Sequence, residues 1–130
     1  MGQPAAKQGD QVIGQDMHLV VLPAPAPPAI LPHPFAGRLT GGLSSDVKIM
    51  GRAAATVGST ADNIPPHVPT APGTGFVRPP ANKATVIRGS ATVFINGKPA
   101  ARTGDTATTC NDPADLPAGT VAAAGTVLIG

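Results

Sequence analysis

The stretch whose reading decides the fold is "GKPAARTGDTATTC", residues Gly97–Cys110. It holds the only cysteine of the chain and the phrase Pro-Ala-Ala-Arg, which has a near-twin, "PAAKQGD", at residues 4–10. A third copy stands between them. "IMGRAAATVGS" (49–59) matches "INGKPAARTGD" (95–105) at the isoleucine, the first glycine, the basic residue, two alanines and the second glycine. Phrases starting at Pro4, Ala53 and Pro99 are 49 and 46 residues apart, and such a period marks a repeat architecture.

What precedes each phrase recurs as well. "VKIMG" (47–51) and "VFING" (93–97) alternate in the period-two manner of a half-buried strand, each closed by a turn glycine. The third such strand, "TVLIG", lies at residues 126–130. The sequence thus opens with a phrase and closes with the strand that should precede it. This predicts one domain over residues 1–130, made of three units beginning near residues 4, 53 and 99. It also predicts a circularly closed threefold object in which Gly130 lies near Gly2.

Composition supports an all-β reading. The 130 residues include 16 Gly and 16 Pro but only three Phe, with no Trp, Tyr or Glu. Few windows escape Pro or Gly, which disfavours helix. A charged content of 12% and many Val, Ile, Leu and Ala residues argue against disorder. The nine Lys and Arg are scattered, net charge is +2, and aromatic platforms are absent, so no nucleic-acid surface is expected. One cysteine makes no internal disulfide. The start, "MGQPAAKQGD", lacks the basic-then-apolar order of a signal peptide. The most apolar run, "LVVLPAPAPPAILP", is too short and too broken by proline to span a membrane. A cytoplasmic origin is expected, with any export dependent on another machine.

Counting from each phrase to the next metal-capable residue gives fourteen positions from Pro4 to His18, fourteen from Ala53 to His67, and eleven from Pro99 to Cys110. These three residues occupy corresponding places, and a pseudo-threefold axis would bring them together. The remaining histidine, His33, lies in the proline-rich excursion "PAPAPPAILPHPF" and is free to fold back as a fourth, symmetry-breaking ligand. Three imidazoles and one thiolate suit tetrahedral Zn²⁺. Prolines flank the ligands in "PPHVP", "LPHPF" and "CNDP" and would stiffen the loops that hold them.

The phrases "PAAKQGD" and "GKPAARTGD", each followed by a ligand, and the closing "TVLIG" resemble the PAAR-repeat family over nearly the whole chain. The resemblance implies a short, sharply tapered, cone-shaped β-prism with a His₃Cys zinc near its apex. It implies a structural role as the pointed cap of a contractile injection system, of the type VI secretion or phage-tail-like kind. There the cap sits on a trimeric valine–glycine-repeat spike protein, aids membrane puncture and attaches effector proteins. The protein would assemble in the cytoplasm and leave the cell on firing. His18, His67 and Cys110 take the ligand role by position, and His33 by elimination. Two departures stand out: the middle copy has lost its Pro and Arg, and the excursion over residues 23–37 exceeds what the motif needs. With the repeats filling the sequence, a plain tip is expected and not a tip fused to a toxin.

Two other classes compete. A zinc or thiol hydrolase would use the histidines with Cys110 as nucleophile, but it needs an open coordination position and a carboxylate base. Asp10 and Asp105 lie in the repeat phrase, where turn formation explains them. A small metal-binding β-module unconnected with injection is the third reading.

Overall fold

The computed structural model describes residues 2–130, and among them every regular element is a strand. In chain order these are β1 (Gln3–Pro4), β2 (Gln11–Val21), β3 (Ala29–Gly41), β4 (Lys48–Ile49), β5 (Arg52–Ala53), β6 (Thr60–Asn63) and β7 (Gly75–Phe76). They continue as β8 (Lys83–Val86), β9 (Phe94–Ile95), β10 (Lys98–Pro99), β11 (Thr106–Thr109), β12 (Leu116–Ala122) and β13 (Leu128–Ile129). The all-β expectation is met.

The repeated phrase builds the base. Each copy follows a strand and folds back on it as a two-stranded antiparallel ladder. Ile49 pairs with Arg52 and Ile95 with Lys98, across Met50-Gly51 and Asn96-Gly97 turns whose φ values are all positive. Two consecutive positive φ angles are what a tight hairpin needs, and Asn-Gly adopts them at least cost. The third ladder has no turn. β13 pairs with β1, Ile129 opposite Gln3, so Gly2 and Gly130 sit where the other ladders have their hairpin loop.

The alanines explain themselves once the three copies meet. The Ala6 N–H donates to the Ala101 carbonyl (2.9 Å), Ala101 to Ala55 (3.0 Å) and Ala55 to Ala6 (3.0 Å), a ring of hydrogen bonds closed around one axis. Bridges Lys7–Ala54, Thr56–Ala100 and Arg102–Ala5 repeat the same step three times. All three ring alanines are fully buried and belong to one core cluster, where small side chains let the three units approach closely. Below them Ile49, Ile95 and Ile129 pack with Ala5, Ala54 and Ala100 in a second apolar layer.

The end of each phrase is a turn. The Asp10 carboxylate accepts the Lys7 N–H (3.0 Å), Asp105 accepts that of Arg102 (2.7 Å), and in the middle copy the Ser59 hydroxyl accepts that of Thr56 (2.9 Å). The glycines between them, Gly9, Gly58 and Gly104, hold φ near 90° (90°, 95° and 90°). The carboxylates also pair with the phrase cations, Lys7 with Asp10 (3.1 Å) and Arg102 with Asp105 (3.0 Å). The middle copy has replaced both members of this pair by hydroxyl residues, Thr56 and Ser59, and keeps the turn.

Above the ring each unit contributes one antiparallel pair: β2–β3, β6–β8 and β11–β12. Their neighbours pair in turn, and β12 returns to β2, closing a six-stranded barrel with β7 added on the far part of β2. The barrel core is Val12, Phe35, Leu39, Val86 and Val121 with small alanines, consistent with a narrow interior. The first unit breaks the symmetry. Its strands run 11 and 13 residues, against 4 and 4 in the second. Beyond Cys110 and Asn63, β2 continues with only β3 and β7 as ladder partners.

The proline-rich stretch, expected as a free excursion, is therefore largely strand. β3 alternates buried His33, Phe35, Gly37 and Leu39 with exposed Pro32, Pro34, Ala36 and Arg38. Pro32 and Pro34 lie where β3 has a partner on one side only, a location in which a missing N–H costs no ladder bond.

If the ring alanines are small because three units converge, Ala101→Val should destabilise the chain by about 1–3 kcal/mol through overpacking. Exposed Ala114→Val should be near neutral. Equal urea midpoints for the two variants would contradict the axial packing.

Candidate metal centre

Strand periodicity delivers the site. On β2 the inward positions run Val12, Asp16, His18 and Val20, so Asp16 and His18 face the interior on successive steps. His33 arrives on β3 directly opposite Asp16 in register. Cys110 follows the end of β11, and His67 stands in the loop after β6. The residue at which each phrase-to-ligand count ends thus becomes a buried side chain beside the barrel core. All these side chains are buried, Asp16 completely.

The three imidazoles form a near-equilateral triangle, with ring centroids 5.5 Å (His18–His33), 5.2 Å (His18–His67) and 5.5 Å (His33–His67) apart. Phe76 of β7 closes over two of them, 5.8 Å from His18 and 5.3 Å from His33. Ligand atoms of Asp16, His18, His67 and Cys110 all lie within 4.8 Å of one another. The Cys110 Sγ is 3.6 Å from His18 Nε2 and 3.2 Å from Asp16 Oδ2, and His67 Nε2 is 2.7 Å from the same carboxylate oxygen. His33 packs against this group, but its ring nitrogens are engaged elsewhere. Nδ1 donates to the Leu31 carbonyl (2.9 Å), and Nε2 accepts the Thr70 N–H (3.1 Å).

Asp16 was not among the residues singled out from sequence. Its signal was there, since it stands two residues before His18 on an alternating strand and so shares the same face. Its Oδ1 is buried without a hydrogen-bond partner. A buried carboxylate oxygen left unpaired costs free energy that a cation would offset. Imidazole, thiolate and carboxylate are the donors a tetrahedral zinc takes, so the residues present fit such an ion.

Outer contacts hold the donors in place. The Asp112 carboxylate lies 3.3 Å from His18 Nδ1, which points Nε2 toward Cys110. Asp112 is itself held by the Leu19 N–H (2.8 Å) and by Arg78 (2.8 Å). Burial alone would raise its pKa, but these contacts and His18 outweigh that effect and hold it below the ordinary aspartate value. Asn63 reaches His67 Nδ1 at 3.2 Å. Burial lowers the His33 pKa. Burial first, and the Asp16 carboxylate second, push the Cys110 thiol up to about 11.

That shift has a consequence for the metal-free chain. The unfolded thiol ionises near 9 and the folded one near 11, so folding holds the proton more tightly. The contribution is present below pH 9 and lost as pH rises toward 11. Metal-free wild type should therefore lose stability across that window more steeply than metal-free Cys110→Ala, as read by urea midpoints at successive pH values.

No curated protein matches the chain. A family model described as the PAAR motif matches residues 32–113 and, again, residues 78–130. Those matches take in the second and third phrases, His33, His67 and Cys110, and together they span most of the sequence. With the phrase alanines forming the axial ring and the phrase turns setting the barrel strands, the chain belongs to the PAAR motif family.

Proposed function

We propose that this chain is a structural tip: a metal-pinned cap seated on the trimeric spike of a contractile injection system, of the type VI secretion or phage-tail-like kind. The observation that carries the reading is the base. One polypeptide offers three ladders, β4–β5, β9–β10 and β13–β1, in the same register about a single axis, although their sequences differ. A monomer of that form matches three identical subunits without trimerising itself. Exposed Val47, Met50, Phe94, Val127 and Leu128 lie on or beside these ladders and supply apolar contact area. The short edges suit main-chain pairing with a partner's sheets, which needs little side-chain specificity.

The metal reading follows from the narrow end. Above the barrel core the strands fall from six to three, and too few apolar side chains remain to form a core. A structural zinc bound by His18, His67 and Cys110 would cross-link β2, the loop after β6 and the end of β11. In small zinc-dependent peptides such binding contributes about 10–16 kcal/mol. With a fourth protein donor the site keeps no position for a reacting water, which is the arrangement of a structural and not a catalytic zinc. His33, beside the other two imidazoles, is the fourth donor that the sequence points to. Among the described residues no helix is long and apolar enough to cross a membrane. In this reading membrane contact comes from thrust on the spike, with effectors carried as cargo.

Two measurements check this reading. Native mass spectrometry of the chain mixed with its cognate spike should give one chain per trimer; three per trimer, or no complex, would overturn the cap assignment. Elemental analysis of protein purified without added metal should give close to one zinc per chain. Cys110→Ser should lose both the metal and thermal stability, since a hydroxyl is a poor zinc ligand. Undiminished zinc in Cys110→Ser would remove the pinning argument.

A further inference from the structure

We infer that Phe94 and Leu128 are the side-chain anchors of the base. Each enters the same apolar pocket on a different subunit of the trimeric partner, and Lys48 leaves the third such pocket poorly filled. The inference rests on the cap reading above and names the residues through which the cap holds.

The three ladders fix which residues correspond. Lys48 pairs with Ala53, Phe94 with Pro99 and Leu128 with Pro4, and each is followed by a buried isoleucine. The residue before them is valine in every copy: Val47, Val93 and Val127. Ile49, Ile95 and Ile129 pack into the axial layer, so by strand alternation Lys48, Phe94 and Leu128 face away from it. All three are exposed. One position of the repeat therefore holds lysine, phenylalanine and leucine around a single axis.

An exposed phenylalanine is out of character in a chain so poor in aromatics. Of the three phenylalanines, Phe35 lies in the barrel core and Phe76 packs on His18 and His33. Phe94 alone of the three is more than half exposed, at 58%. Pro99 across the ladder and the adjacent Val93 extend its apolar surface, and Pro4 and Val127 do the same for Leu128. The middle copy differs at both places together, with Lys48 opposite Ala53. The phrase that lost its proline is thus the one whose ladder lacks an apolar residue across from it.

Symmetry of the partner gives these differences their meaning. A trimer of identical subunits presents three identical pockets to three unlike side chains. A pocket shared by phenylalanine and leucine is apolar. Lysine occupies such a pocket with its stem only, because its ammonium must reach water. Buried aromatic anchors carry a large share of interface energy, so affinity divides unequally: most at Phe94, less at Leu128, little at Lys48.

The test measures affinity of the intact chain for its cognate spike trimer by isothermal titration calorimetry, with urea midpoints to show that each variant folds. Phe94→Ala should weaken binding by roughly 30-fold or more, the level that marks an anchor, and Leu128→Ala by less. Phe94→Leu should recover most of that loss, because leucine fills the equivalent place in another copy. Lys48→Leu should tighten binding by about 10-fold, by giving the third pocket an apolar occupant. Ile30→Ala, at an exposed residue of β3 far from the base, should leave affinity unchanged. A Phe94→Ala affinity within about 5-fold of wild type, the range of ordinary contacts, would overturn the inference. So would Lys48→Leu binding no more tightly than wild type. A wild type that forms no complex with the trimer would defeat the cap reading itself, which separates the two failures.

Discussion

Three hydrogen bonds, Ala6 to Ala101 to Ala55 and back to Ala6, hold this molecule to its axis. Each is an ordinary backbone bond, worth about 0.5–1.5 kcal/mol net in isolation. Their weight lies in geometry, because closing the ring fixes the relative position of three segments nearly fifty residues apart in sequence. Alanine suits the site. Glycine would add conformational freedom to the unfolded chain, and a larger side chain would meet its two symmetry mates. The Ala-Ala of the phrase is thus a packing constraint, and the flanking residues follow from it. The residue before the pair ends a ladder strand, and the residue after it opens a turn closed by Asp10, Ser59 or Asp105.

From the ring, the three units depart from one another with distance. At the base the ladders are superimposable in register, and in the barrel the hairpins already differ in length. Above the barrel only the first unit's hairpin continues as regular structure, joined by the short β7. This gradient sets where a donor cluster is needed. At the base, alanine and isoleucine layers suffice because three ladders surround them. Near His18 the surrounding chain is too sparse for that, and polar donors with buried outer partners take over. Asp112 is the clearest of these, since it binds the Leu19 N–H, Arg78 and His18 at once and joins three segments without metal.

Polar burial in this chain is also economical in side chains. Without glutamate, all seven acidic groups are aspartates, and several are placed by backbone N–H donors. A short carboxylate reaches main-chain donors within its own turn, which is what the phrase ends and Asp112 require. Asp16 is different. It is fully buried, its Oδ1 has no hydrogen-bond partner, and its other oxygen meets His67 and Cys110 in the donor cluster.

Much of this was legible in the sequence. The repeated phrase and the strand before it, closed by a turn glycine, could be read directly, and Gly51 and Gly97 both take the positive φ that such a turn needs. Counts of fourteen, fourteen and eleven residues from phrase to donor point to His18, His67 and Cys110 as corresponding residues, and the fold brings these three together. The tertiary structure decided two further points. One is that the proline-rich stretch is strand, which depends on a free edge that no local pattern reveals. The other is which side chains join the cluster. Asp16 and His33 are 17 residues apart in sequence and become neighbours through the register of β2 against β3. A one-residue slip of β3 against β2 would turn His33 to the outside while Asp16 stayed inward, and β12 on the far side of β2 and β6 on the far side of β3 hold the two strands in place.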